Sequence, residues 1–398
     1  MNILHINDKL EISGGVEVYI DQLCKYGEQC GIANEWISIQ KSAGSGYLFE
    51  SKKQTKKQFS ALKSLVKHLT VHCNDNNIDI IHVHSISNPS LIRALFKIRP
   101  VVRSMHEPRI ACPGQGKFWR NSEKICDQPF GLHCFYHAYK EGCCNRHPKR
   151  LLKAYNNVKF ETTEGKQNYK AIIVMSEYME NEAIKVGYKK DQLFLNPYFT
   201  EPVSDVDLVD QSNSEKKSII FIGRLSRTKG VHYFIECGVR LLEKGYKVQL
   251  DIVGDGHDAD YFKEKIPEKY INDFIFHGWQ SRGNINRLLN QSYLMIFPSI
   301  YPEAFGISGI EAMMRGKPVV GFDVGGVSAW LKDGLTGFAV EVKNVEEMSK
   351  KIYELIEDKE LYNKISVSNR SFAIKNFNIS KHVNTLVKTY DKALKNQP

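Results

Sequence analysis

The sequence predicts an α/β protein built from two doubly wound domains, and three observations lead there. Its 398 residues exceed what one hydrophobic core usually organises. Short apolar strand patterns alternate with helical ones in both halves, the order that produces a parallel sheet covered by helices. Between the two series, residues 202–217 are polar, charged and serine-rich without periodicity, the composition of a linker.

The first domain, residues 1–201, opens with an apolar strand over Asn2 to Ile6, a glycine turn at Ser13-Gly14-Gly15 and a helix from Val16 to Tyr26. Further strands are expected at Glu35 to Ile39, Ile78 to His84, Val101 to Met105 and Ala171 to Ser176, with helices near Ala61 to Asn74, Pro89 to Ile98 and Glu177 to Val186. The second domain, residues 218–379, begins with a strand from Ser218 to Gly223. It continues through strands at Val248 to Val253, Phe274 to His277, Leu294 to Pro298 and Val319 to Phe322, with helical stretches between. Residues 380–398 close the chain with apolar Val383, Leu386, Val387, Tyr390 and Leu394 at helical spacing, a helix expected to pack back towards the first domain. Ligands of open parallel sheets sit beyond the carboxyl ends of the strands, so two such sheets are expected to hold a ligand in a cleft.

The composition, 42% hydrophobic and 25% charged, excludes a disordered or fibrous chain. No apolar run reaches the roughly 20 residues of a membrane span, and the N-terminus lacks the pattern of a signal peptide, so a cytoplasmic location is expected. The formal charge of +10 is concentrated in residues 1–200, which hold 28 Lys+Arg against 19 Asp+Glu. That excess suits solubility alone, an anionic membrane surface or a phosphorylated acceptor; no nucleic-acid motif accompanies it. Within it, Lys52, Lys53, Lys56, Lys57, Lys63 and Lys67 crowd together, and Lys56, Lys63 and Lys67 beside Phe59, Leu62, Leu65 and Val66 read as a basic amphipathic helix for the inner face of a membrane. Five of nine cysteines, Cys112, Cys126, Cys134, Cys143 and Cys144, fall in an insertion at about 112–144. Bound structural zinc, buried or unpaired thiols, and disulfides are the alternatives.

The strongest chemical signal is Glu303-Ala304-Phe305-Gly306-Ile307-Ser308-Gly309-Ile310-Glu311, placed directly after an expected strand. Gly306, Ile307 and Ser308 open a helix whose free backbone N–H groups and partial positive charge suit a diphosphate. Glu303 in the loop is placed to accept hydrogen bonds from sugar hydroxyls, and Glu311, two turns into the helix, from a ribose. After the first strand of the same domain, Gly223-Arg224-Leu225-Ser226-Arg227-Thr228-Lys229-Gly230 supplies two cations, Arg224 and Lys229, for a leaving nucleoside diphosphate.

This arrangement resembles the retaining glycosyltransferases of family 4, the glycosyl transferases group 1, which have the GT-B fold of two Rossmann-like domains. The resemblance implies that Arg224 and Lys229 meet the donor phosphates, that Gly14 and Gly15 form the N-terminal glycine loop, and that Gly254, Gly278 and Trp279 lie near the nucleotide base. It also implies that His106, after the strand Val101 to Met105, contacts the transferred sugar; the aspartate that often follows is Glu107 here. Where many relatives have Asn-Gly, this chain has Asn196-Pro197. The implied activity is transfer of a sugar from a UDP- or GDP-sugar to a glycan or lipid-linked acceptor, with retention at the anomeric carbon, in cell-surface polysaccharide or glycoconjugate synthesis. No cofactor or catalytic metal is expected, since no Asp-x-Asp stands at a plausible site for holding a divalent ion with a nucleotide sugar; Asp205-Val206-Asp207 falls in the linker. A GT-B epimerase or phosphorylase, or a noncatalytic nucleotide-sugar-binding subunit, are the alternatives.

Overall fold

The computed structural model describes residues 1–12, 14–42, 46–52, 55–204 and 214–395. Ser13, Lys53 and the Asp205-Val206-Asp207 segment lie outside them. The chain divides into two compact units, Met1–Tyr198 with Ile379–Pro398, and Phe199–Asn378. The C-terminal helix Ile379–Lys395 thus counts with the first unit, and the residues after Tyr198 count with the second.

The first unit is built on an eight-stranded sheet. Its strands are β1 (Asn2–Asn7), β2 (Ala33–Lys41), β3 (Tyr47–Ser51), β4 (Lys56–Phe59), β5 (Ile80–Val83) and β6 (Val101–Met105). A short hairpin, β7 (Phe118–Trp119) and β8 (Lys124–Ile125), stands apart, and β9 (Ala171–Val174) and β10 (Leu193–Leu195) complete the sheet. The strand order is β10-β9-β6-β5-β1-β2-β3-β4. All pairs from β10 to β2 are parallel; β3 and β4 add an antiparallel edge. The parallel strands read as continuous apolar runs because helices cover both faces of such a sheet.

That edge corrects the basic-helix expectation. Lys56 to Phe59 pairs with β3 as strand β4, and the helix begins only at Leu62 and runs to Asp75. Leu65, Leu69 and Cys73 of that helix are buried while Lys63 and Lys67 point outward, so its apolar face is consumed by the unit's own core. Lys52 is paired with Asp21, and Lys56 with Glu50 at 2.6 Å. Polar and apolar residues on one side of a helix and strand alternation had overlapped in this stretch, and the cross-strand pairing prevailed.

The second unit carries a six-stranded parallel sheet of β11 (Lys217–Ile222), β12 (Val248–Val253), β13 (Phe274–Gly278), β14 (Leu294–Phe297), β15 (Val319–Phe322) and β16 (Gly337–Val340). The order is β13-β12-β11-β14-β15-β16. The chain steps outward from β11 through β12 to β13, then crosses back to β14 on the other side of β11. The crevice between β11 and β14 is therefore the topological switch point, where a doubly wound sheet binds its ligand. In the first unit the corresponding point lies between β1 and β5.

Candidate active site

At the switch point of the second unit, the loop after β11 and the loop after β14 are tied together by backbone. Ile300 N–H donates to the Thr228 carbonyl at 3.0 Å, and Gly230, at φ 73°, sits so close to Pro298 that an added Cβ would lie 1.8 Å from its carbonyl oxygen. Lys229 and Glu303 consequently meet: Nζ to Oε1 is 2.6 Å. Ser299 Oγ also donates to Glu303 Oε1 at 2.7 Å, and the Glu303 carbonyl accepts from Gly326 N–H at 2.6 Å. The carboxylate is 8% exposed, so it is a nearly buried anion held by one cation and one hydroxyl. The exposed Arg224 side chain has no ion-pair partner among the described residues.

Gly306 opens the helix Ile307–Met314 from the left-handed region, φ 95°, where an L side chain is strained, and an added Cβ would lie 2.8 Å from the Phe297 ring. Trp330 Nε1–H donates to the Phe305 carbonyl at 2.6 Å and fixes the approach to that helix. Glu311, 5% exposed, is paired with Arg282. Arg315 donates to the Glu311 carbonyl at 2.9 Å and to Asn286 Oδ1 at 2.8 Å. Sequence reasoning missed Arg282, which stands at the start of another helix and carries no motif of its own. Gly254 N–H donates to the Gly278 carbonyl at 2.9 Å, which sets these two strand ends side by side; Trp279, next in the chain, is 70% exposed. Arg227 is exposed and lies over the Tyr261 ring at 4.4 Å.

In the first unit, Gly14 caps the helix Gly15–Gly27 in an extended conformation open to any residue, and Asn7 Nδ2 donates to Glu17 Oε1 at 3.2 Å. His106 follows β6 and is 8% exposed, with both ring nitrogens engaged. It ends a chain of histidines whose tautomers the partners decide. Asn34 Nδ2 donates to the Leu23 and Ile32 carbonyls, so its Oδ1 must accept from His5 Nε2–H at 2.9 Å. His5 Nδ1 then accepts from His84 Nε2–H at 3.0 Å, His84 Nδ1 from His106 Nε2–H at 2.9 Å, and His106 Nδ1 from the Tyr198 hydroxyl at 2.5 Å. Each bond requires a neutral ring. Burial holds His5 down to about 4 and His106 to about 3, with Arg103 and Arg109 adding to the second, and it pushes His84 well below the usual value. His82 and His84 alternate on one strand and so share a face. His84 belongs to the chain, while His82 bonds the Tyr390 hydroxyl and Ser104 Oγ, both at 2.8 Å.

His5, His82 and His84 are the trio whose ligand atoms come within 4.8 Å of one another among the described residues. Their nitrogens are already bonded to Asn34, Ser104, Tyr390, His106 and each other. The cysteines of the insertion are free thiols, Cys112 buried and Cys126, Cys134, Cys143 and Cys144 half-buried. Burial and neighbouring thiols push Cys143 up to about 12. The two departures from the family pattern both have partners. Glu107 accepts from Arg109 Nε at 2.7 Å, and the Pro197 carbonyl accepts from His382 Nδ1–H at 2.7 Å while Asn196 Nδ2 donates to the His382 carbonyl at 3.3 Å.

The Lys229–Glu303 and Arg282–Glu311 pairs thus stand beside a glycine-opened helix whose N-terminal amides suit an anionic group. Residues 208–372 match the model of the family glycosyl transferases group 1. Among curated relatives, an uncharacterized 41.2 kDa protein in the cps region of Klebsiella pneumoniae is 25% identical over 98% of this chain and 99% of its own. The alpha-D-kanosaminyltransferase of Streptomyces kanamyceticus is 31% identical over 37% of this chain and only 38% of its own. Among solved structures, Anabaena HepE in complex with UDP and glucose has a TM-score of 0.69 at 18% identity, covering 98% of this chain and 99% of that one. TarM superposes with a TM-score of 0.70 at 14% identity, covering 98% of both. Residues 208–372 thus carry a likeness to the glycosyl transferases group 1, and the fold of the chain is GT-B.

Proposed function

We propose that the chain transfers a sugar from a nucleoside diphosphate sugar to a glycan or lipid-linked acceptor, with retention at the anomeric carbon, in polysaccharide or glycoconjugate synthesis. The observation that carries this reading is the Lys229–Glu303 pair at the β11/β14 switch point, with Arg224 in the same loop as Lys229 and without an ion-pair partner among the described residues. A diphosphate arriving at the helix N-terminus exchanges for Glu303 as the partner of Lys229, and the released carboxylate accepts from sugar hydroxyls. Arg282 releases Glu311 in the same way for the ribose. In the step itself the acceptor oxygen bonds to the anomeric carbon while the bond from that carbon to the phosphate oxygen breaks. The acceptor proton passes to the leaving phosphate, whose charge Arg224 and Lys229 stabilise. His106 is assigned to a sugar hydroxyl, which requires it to give up one of its two present partners. Gly254, Gly278 and Trp279 are assigned to the base, and Gly14 and Gly15 to close backbone approach. No catalytic metal enters this reading, and a structural zinc in the cysteine insertion stays a separate proposal.

A UDP-sugar is the first donor to test, since HepE is a fold relative in complex with UDP and glucose. The experiment is a panel of UDP- and GDP-sugars with cell extract, with products identified by mass spectrometry and the anomeric configuration by NMR. Transfer with an unchanged configuration supports the proposal; inversion, or turnover of donor alone to an epimer, contradicts it.

No helix among the described residues is long and apolar enough to cross a membrane. Contact with an anionic membrane surface is better supported at the helix His133–Lys140 than at the lysines near residue 56. Leu132, Tyr136 and Tyr139 recur at helical spacing and are 76%, 61% and 52% exposed, beside exposed Lys140, Lys149, Arg150 and Lys153. Flotation with anionic liposomes should be lost in Leu132→Asp/Tyr136→Asp and kept in Lys63→Glu/Lys67→Glu. The opposite pattern restores the earlier assignment.

A further inference from the structure

The switch point of the first unit holds a pocket that the transfer chemistry above leaves unused. Its volume is about 380 Å³, at the small end of the roughly 300–1,000 Å³ typical of small-molecule sites. It lies where the chain leaves β1, β2 and β5, and its charged lining consists of Lys9, Lys41 and Arg109 against Asp8. Lys9 and Lys41 are exposed and have no anionic partner among the described residues. Arg109 is held in place, its Nε donating to Glu107 and its Nη1 to the Ser85 carbonyl at 3.3 Å. Even with Glu107 counted, the cations are in excess.

A second feature fixes what the pocket is next to. Ser85 and Arg109 also line a much smaller cavity, about 10 Å³, whose other walls include His84, His106 and Glu107. That space is about enough for one water. The large pocket therefore adjoins His106 through a shared wall of two residues. One of them is a guanidinium whose position is set by bonds to the protein before any ligand arrives, so little ordering is left to be done on binding.

We propose that this pocket is the acceptor subsite and that it selects an acceptor sugar bearing an anionic group, a carboxylate or a phosphate ester, seated against Lys9, Lys41 and Arg109. The proposal rests on the transferase reading above and narrows it from a glycan in general to an acidic one. Hydroxyls of a neutral sugar find polar partners here too, but they leave the lysines unmatched, so discrimination comes from charge. The preference should accordingly fade with salt, because both lysines are exposed and screened.

The test uses the full chain with UDP in excess, so that phosphate binding in the second unit is occupied. Glucuronic acid, glucose 6-phosphate and glucose are titrated and followed by saturation-transfer NMR. At least one of the two anions is expected to bind tenfold or more tightly than glucose. Tighter glucuronate assigns a carboxylate, tighter glucose 6-phosphate a phosphate ester. Lys9→Gln/Lys41→Gln, both at exposed positions, should erase the preference while the Kd for UDP stays unchanged. Neither anion binding more tightly than glucose, or an undiminished preference in the double variant, overturns the proposal. Failure of the wild-type chain to bind UDP counts against the donor reading instead, and the effect of the double variant on anion binding still decides the pocket.

Discussion

The two units differ in what lies at equivalent points of their sheets: paired charges in the second and, beneath the charged rim of its pocket, neutral rings in the first. In the second, the crevice between β11 and β14 is lined by charges that satisfy each other: Lys229 with Glu303, and Arg282 with Glu311. In the first, the region between β1 and β5 runs into a line of buried neutral rings, Tyr198 to His106 to His84 to His5, closed by Asn34. Ion pairs at a surface crevice can exchange partners with a charged ligand at modest cost, because the incoming phosphate replaces one anion by another. A fully buried ring chain has no such freedom: charging any one ring strands a proton where a neighbour already donates. The second unit is thus arranged for binding a charged group, and the core of the first for holding His106 in one tautomer.

The largest effects should come from breaking the charged side. Glu303→Ala or Lys229→Ala should lower the transfer rate on the order of a hundredfold, about 3 kcal/mol of transition-state stabilisation, measured as kcat/KM with circular dichroism to verify folding. Transfer at the wild-type rate in both variants would remove these residues from the site.

The neutral side predicts an acid-sensitive first unit. His5, His84 and His106 have folded-state values depressed below the usual 6.5, so in moderately acidic solution the unfolded chain binds protons that the folded one does not. Stability is therefore fully present above about pH 6.5 and falls as the pH drops, through about 4, where His5 titrates in the folded chain, and on to about 3, where His106 does. Thermal unfolding across that range should show a steep decline in wild type. His5→Gln should be less stable at pH 7.5 yet decline less steeply; an equal slope would mean that the ring is not held neutral.

A smaller effect sharpens the same contrast. Tyr198→Phe removes the hydroxyl that donates to His106 Nδ1 and leaves that buried nitrogen without its partner, at a cost of about 1–3 kcal/mol in chemical denaturation. Trp330→Phe, which deletes the bond to the Phe305 carbonyl in the second unit, should cost about 1 kcal/mol.

How much of this was legible in the sequence follows the same division. The buried parallel strands announced themselves as apolar runs, and Val101–Met105, Val248–Val253 and Val319–Phe322 are found with the bounds expected. The edge strands β3 and β4 were not: Lys56–Phe59 carries charged residues and no apolar run, and the apolar run of β3 is only Tyr47, Leu48 and Phe49. The helices Val345–Glu357 and Lys359–Asn376 were passed over as well, having no motif to draw attention. The charged site was readable because its residues stand at short spacing in two loops. The histidine chain was not, since its members come from positions 5, 84, 106 and 198 and meet only through strand order.

The central claim is that Lys229 exchanges Glu303 for the phosphates of a nucleoside diphosphate. The Kd of UDP for wild type, Lys229→Ala and Glu303→Ala, measured by titration calorimetry in low salt, tests it most directly. The account predicts at least tenfold weaker binding in Lys229→Ala, and in Glu303→Ala binding as tight as wild type or tighter, because the lysine has lost its competitor. Unchanged affinity in Lys229→Ala, or weakened affinity in Glu303→Ala with the fold intact, would contradict it.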